Sequence, residues 1–228
     1  MKLKENQKQH LILVLLILAA MFMWNTPLVY PIKLFVVMLH EMSHGIMAEV
    51  FGGDIVNIQI DYRIGGYCKY TVPSSFFAQI MIASAGYLGS LFWGLMIILA
   101  AVRTKKDKYI SLTIGLVLLV LSWFVIKTGE TFGIIVTIGF SLFMLLSFRF
   151  LSNKFHDYFL KFIGLISCLY VVLDIKNDLI DRRGVGSDAD AISEMIGVPA
   201  VAIGVFWLVL ALVAIFYTLK YAYRKANS

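Results

Sequence analysis

Only four histidines occur in the 228 residues, and two of them flank a glutamate in His40-Glu41-Met42-Ser43-His44. On an α-helix a spacing of four advances about 6 Å and slightly more than one turn, so both imidazoles face the same way, within reach of one ion. Glu41 then stands beside that ion. A zinc ion held in this way lowers the pKa of bound water to about 7, and a neighbouring carboxylate can take the water's proton as it attacks a carbonyl. The pattern predicts metal-assisted hydrolysis, with His40 and His44 as metal ligands and Glu41 as general base. The competing reading is a pair of helix-end histidines that hydrogen-bond to neighbouring helices.

Two histidines leave a catalytic zinc short of its usual three protein ligands. Asp174 is the first choice from the residues alone. It closes the apolar run Val171-Val172-Leu173, where an unpaired carboxylate is costly, whereas the later acids, among them Asp178, Asp181, Asp188, Asp190 and Glu194, have water available. His10, ahead of the first apolar run, and His156, in a polar connection, are weaker candidates.

The elements that must position these residues are apolar. Hydrophobic residues make up 60% of the chain, mean hydropathy is +0.85, and charged residues are only 15%, too few to cover a soluble domain of this length. The composition predicts an all-α polytopic membrane protein forming one domain over residues 1–228. Its formal charge of +6 comes from short basic clusters at the ends of apolar runs, so the expected partner is the lipid bilayer and not nucleic acid. The two cysteines, Cys68 and Cys168, sit in unlike contexts and imply neither a disulfide framework nor a cysteine metal site.

Seven apolar runs follow one another, at about 11–30, 32–51, 76–102, 109–126, 132–150, 158–173 and 199–217, each near the length that crosses a hydrocarbon core of about 30 Å. Six spans is the alternative if the first two do not both cross. The first is read as a retained span, because no small-residue cleavage site follows it. Proline is kept to boundaries, at Pro27, Pro31, Pro73 and Pro199. The catalytic helix is expected over about 31–51, a third-ligand helix over about 157–175, and a C-terminal span over about 199–220. An even number of crossings separates the second and sixth runs, which brings His40, His44 and Asp174 to the same membrane face. Basic residues divide almost evenly between the two faces, so orientation stays open.

Between the second and third runs, Ile55-Val56-Asn57-Ile58-Gln59-Ile60-Asp61 alternates apolar and polar side chains, and Gly65-Gly66 is expected to turn the chain into Tyr67-Cys68-Lys69-Tyr70-Thr71-Val72. A membrane-associated β-hairpin over about 54–72 results. It reads either as an interfacial loop or as a sheet edge that holds an unwound substrate strand. The third run opens with Ala83-Ser84-Ala85-Gly86-Tyr87-Leu88-Gly89-Ser90, small residues that let another helix come close.

On these motifs the chain resembles the site-2 protease family of intramembrane zinc metalloproteases, and most closely its compact bacterial-type members. The resemblance rests on His40-Glu41-Met42-Ser43-His44, on Gly86-Tyr87-Leu88-Gly89-Ser90 as the family's G-x-x-x-N/S/G span, and on Leu173-Asp174 as its L-D-G, with Ile175 in place of the glycine. It implies Zn2+ bound by His40, His44 and Asp174, water activated by Glu41, a β-hairpin after the catalytic helix, and a location in a bacterial cytoplasmic membrane. Gly186-Ser187-Asp188-Ala189 looks like a recurrent element of the compact subgroup, so Asp188 or Asp178 could support the site or be the ligand itself. The implied activity is cleavage of membrane-embedded or membrane-proximal protein substrates. With no gap long enough for a recognition domain, selection falls to the spans, the hairpin or a membrane adaptor. The rival from another class is a transporter or non-catalytic scaffold that retains a metal-binding motif; no internal repeat supports a transporter.

Overall fold

A computed structural model of the chain describes residues 14–15, 18, 21–72, 74–178 and 186–226. Residues 11–13, 16–17 and 19–20 of the first apolar run lie outside the described residues, as do His10, Pro73, Asp181, Arg182 and Arg183. Helix α1, which carries His40, Glu41 and His44, covers Tyr30–Val50, with proline in its first turn, and ends at Phe51 and Gly52, whose positive φ of 82° a side chain would resist. Strands β1 (Ile55–Asp61) and β2 (Gly65–Tyr70) follow as an antiparallel pair. Among the described residues, five long helices and one short one follow: α2 (Phe76–Arg103), α3 (Asp107–Ile126), α4 (Thr131–Phe150), α5 (Asn153–Lys176), the short α6 (Asp188–Ile196), and α7 (Ala200–Ala226).

Five of these, α2, α3, α4, α5 and α7, are long and apolar enough to cross a membrane. The 21-residue α1 matches the second apolar run but is diluted by Lys33, His40, Glu41, His44 and Glu49. It tolerates them because it is the inner helix, buried almost without interruption from Lys33 to Gly45. One apolar cluster joins α1 to β1 and to α3, α4 and α5 through Phe35, Met38, Ile58, Leu118 and Met144; a second joins α2, α5, α6 and α7 around Tyr87, Val171, Ile192 and Trp207.

Small residues make the close approaches. A Cβ on Gly94 would stand 3.0 Å from the Gly164 carbonyl, and Ser167 Oγ donates to the Ser90 carbonyl at 3.1 Å, so α2 and α5 pack nearly backbone to backbone. Ser141 Oγ likewise donates to the Gly115 carbonyl at 2.9 Å between α4 and α3. Large apolar side chains such as Val120, Trp123, Ile135 and Phe150 are left on the outer surface, where lipid can take them.

Three local expectations change. The hairpin turns at Tyr62–Ile64, ahead of the glycines: Asp61 Oδ1 accepts from the Arg63 N–H at 2.8 Å, and Ile64 takes the positive φ of 63°. Gly65 and Gly66 instead open β2. Secondly, His156 lies inside α5, which starts at Asn153 under a Ser152 cap whose Oγ accepts from the Phe155 N–H at 3.2 Å. Thirdly, part of the acidic stretch after the sixth run is the helix α6.

Candidate metal centre

The site is built from three elements. Across one face of α1, the rings of His40 and His44 stand with centroids 5.0 Å apart. The first residue of α6 completes the group: Asp188 Oδ2 is 3.3 Å from His40 Nε2, and Asp188 Oδ1 is 3.3 Å from His44 Nε2. Among the described residues these three offer ligand atoms that all lie within 4.8 Å of one another. Asp174 and Asp178, on the last turn of α5 and just beyond it, line the same cavity without joining the group.

The capping box of α6 aims Asp188. Ser187 Oγ accepts from the Asp190 N–H at 3.2 Å, and Asp190 Oδ2 accepts from the Ser187 N–H at 3.0 Å. Gly197, at φ +72°, closes the other end, while Ala189 and Ile192 bury the inner face. The signal was in the sequence as Ser187-x-x-Asp190, an apolar position at Ile192 and a glycine after the last turn.

On α2, Gly86 provides the space. A Cβ there would overlap His40 Nε2 and Asp188 Oδ2, and one on Gly89 would overlap the Ser43 side chain. The second ring nitrogen of His44 is fixed from behind, since Nδ1 lies 2.8 Å from the Ile82 carbonyl, which can only accept. That leaves the lone pair of Nε2 directed into the cavity, the arrangement of a metal-ligating histidine. Tyr87 packs edge-on against His40 at 5.4 Å, and its hydroxyl donates to Asp178.

Glu41 lies against β2, beside Gly66, where a Cβ would stand 3.0 Å from its Cγ, and the Cys68 backbone hydrogen-bonds its carboxyl. Burial and the neighbouring Glu41 charge push the Cys68 thiol up to about 12, which keeps it protonated. The cavity, about 390 Å³, is walled by Val37 and the site residues of α1, by Gly65 to Cys68 and Tyr70 of the hairpin, and by Tyr170 and Asp174 of α5.

The donor set fits zinc. Two imidazole nitrogens and a carboxylate are a usual zinc ligand set, and each carboxylate oxygen stands 3.3 Å from one of the nitrogens, longer than a charge-assisted hydrogen bond. Asp188 Oδ2 is buried and has no hydrogen-bond partner. Burial alone would raise the Asp188 carboxyl, but positive charge on His44 and His40 outweighs it and holds the group well below the usual range; a cation held by the neutral imidazoles would supply the same positive charge.

Fold and site together define a polytopic helical membrane protein with a His–His–carboxylate centre beside a glutamate. A family model described as Peptidase M50B-like matches residues 13–218, and the chain belongs to that family of membrane peptidases. This agrees with the site-2 protease resemblance of its motifs. No curated protein matches the chain, and no solved structure does.

Proposed function

We propose that the protein is a zinc-dependent endopeptidase that cleaves membrane-embedded or membrane-proximal protein substrates. The observation that carries this reading is the convergence of His40, His44 and Asp188 beside Glu41, in a cavity with a β-strand edge along one wall. His40, His44 and Asp188 would hold the ion, with Asp188 in the role that the L-D-G resemblance assigns to Asp174. Zinc bound there supplies Lewis acidity, which acidifies water and polarises a carbonyl.

The remaining work falls to the chain. Glu41 takes a proton from the attacking water onto a carboxylate oxygen and returns it to the leaving amine, as a general base must for the atoms to balance. That carboxylate lines the cavity against Gly66 of β2. A substrate helix has its carbonyls hydrogen-bonded, so it must unwind before attack. The Gly65–Tyr70 edge offers an extended segment backbone partners in exchange, and the absence of side chains at Gly65 and Gly66 lets it come close. Selection between substrates rests on the spans and the hairpin.

The test is Glu41→Gln in detergent-purified protein. Zinc stays at about one per chain while cleavage of membrane-protein substrates falls at least about 10²-fold. Cleavage at the wild-type rate would remove Glu41 from the mechanism.

A further inference from the structure

We propose that Lys33 is a substrate-binding residue: a buried cation that takes a carboxylate of the peptide substrate. The proposal rests on the peptidase reading above and names a feature of the substrate.

Positions 33, 37, 40, 41 and 44 share one face of α1. Val37, His40, Glu41 and His44 line the metal cavity, and Lys33 continues that stripe into two adjoining clefts of about 190 and 350 Å³. The smaller cleft shares Ile64, Tyr170 and Asp174 with the metal cavity, and shares Trp24, Lys33 and Ile64 with the larger one. Ile64, Tyr170 and Asp174 therefore border both the metal cavity and the cleft that holds Lys33, next to the hairpin turn. Seven helical residues rise about 10.5 Å and an extended chain advances about 3.3 Å per residue, so Lys33 reaches about three residues from the bond to be cleaved.

Lys33 is only 7% exposed. Its Nζ stands 4.4 Å from the Trp24 ring centroid, and among the described residues no carboxylate lies within 4 Å of it. A lysine that merely flanks a span extends its ammonium to water or headgroups. This one is held in a cleft beside Arg63 and Asn177, which Asp174 also lines without coming within ion-pair distance of the ammonium, on the side of the helix that carries the chemistry. An aromatic face compensates an ammonium only partly, and an incoming carboxylate supplies the charge-assisted hydrogen bond that is missing. A lipid headgroup phosphate is the rival occupant, given Trp24 and Tyr30 nearby. The shared border with the metal cavity favours the peptide.

The experiment uses zinc-loaded Glu41→Gln protein in detergent, with monodispersity checked, and a pool of apolar synthetic peptides carrying Glu, Gln or Lys at each position in turn. Retained peptides are read by mass spectrometry. The expected result is retention of Glu over Gln by about tenfold at one position, lost when Lys33→Met is added. Lys33→Glu should turn that position toward Lys. Equal retention of Glu and Gln peptides everywhere, or a Glu preference untouched by Lys33→Met, overturns the proposal. So does a Lys33→Met protein that keeps its peptide choice but no longer binds phosphatidylglycerol vesicles in preference to neutral ones; that outcome assigns the cation to lipid. Retention is read on a protein that does not cleave, so it stands apart from wild-type cleavage, which tests the peptidase reading.

Discussion

The protein buries histidines in two places, and they are satisfied differently. His156, fully enclosed in α5, has both ring nitrogens engaged: Nε2 donates to the Ser147 carbonyl at 3.1 Å, and Nδ1 accepts from the Ser111 hydroxyl at 2.7 Å. His44 has one nitrogen engaged, on the Ile82 carbonyl at 2.8 Å, while the other meets a carboxylate oxygen at 3.3 Å. The first is a histidine whose hydrogen bonds are complete, so it ties α3, α4 and α5 together. The second turns its remaining nitrogen toward a buried carboxylate and stands beside a second imidazole, an arrangement that suits a cation. Burial and residue type are common to both; the second ring nitrogen separates ligand from strut.

Removing one member from each place breaks the comparison most sharply. His44→Ala and Asp188→Ala should each lower zinc from about one per folded chain to near zero and reduce peptidase activity at least about 10³-fold, measured by elemental analysis and product formation. Asp174→Ala should keep its zinc. If the zinc instead follows Asp174, the third-ligand assignment returns to the end of α5. A smaller effect is expected from Gly86→Ala, whose new Cβ would overlap His40 Nε2 and Asp188 Oδ2: zinc affinity should fall by about 10- to 100-fold in chelator competition, with folding retained. Gly139→Ala, where nothing stands within 4 Å, is the matched control and should change nothing.

His156→Ala sharpens the other side. It leaves the Ser111 hydroxyl without its partner, removes one of the two donors to the Ser147 carbonyl, which keeps the Leu151 N–H, and opens a cavity, so the loss should be about 2–3 kcal/mol of stability with zinc content unchanged. Denaturation of the zinc-loaded protein, with metal content tracked on the folded fraction, separates the two. Zinc lost from folded His156→Ala would make the two sites one.

What the sequence makes legible is uneven for physical reasons. His40, Glu41 and His44 are four-residue helix geometry, so spacing alone places them. The helices α2, α3, α4 and α5 follow from unbroken apolarity, and β1 follows from its alternation. Asp174 and Asp188 depend on tertiary placement. Choosing Asp174 on the cost of burying a carboxylate assumes that the acids after it stay in water, and the cap at Ser187 removes that assumption by starting a helix that carries Asp188 against Gly86. His156 reads as polar because Asn153, Lys154 and Asp157 surround it in sequence; in the fold Asn153 bonds to Asp107 and the Lys105 carbonyl at the start of α3, and the helix continues through. The turn of the hairpin is misplaced from sequence because glycine is read there as a turn former, when Gly66 is present to leave room for Glu41.

The smallest prediction concerns that cap. Ser187→Ala removes one side of the capping box, which costs about 1 kcal/mol at the start of α6. Asp188 is the very next residue, so fraying of the first turn would release the proposed third ligand and not merely a surface loop. Since α6 buries only Ala189 and Ile192 deeply, little else restrains its start. The expected outcome is a drop in zinc affinity of about fivefold, the equivalent of that cost, with global stability of the zinc-free protein nearly unchanged. Ser187→Asp, which restores a capping oxygen, should recover most of the affinity. Equal zinc affinity in Ser187→Ala and wild type would mean that Asp188 is positioned by its packing against α2 and not by the helix it begins.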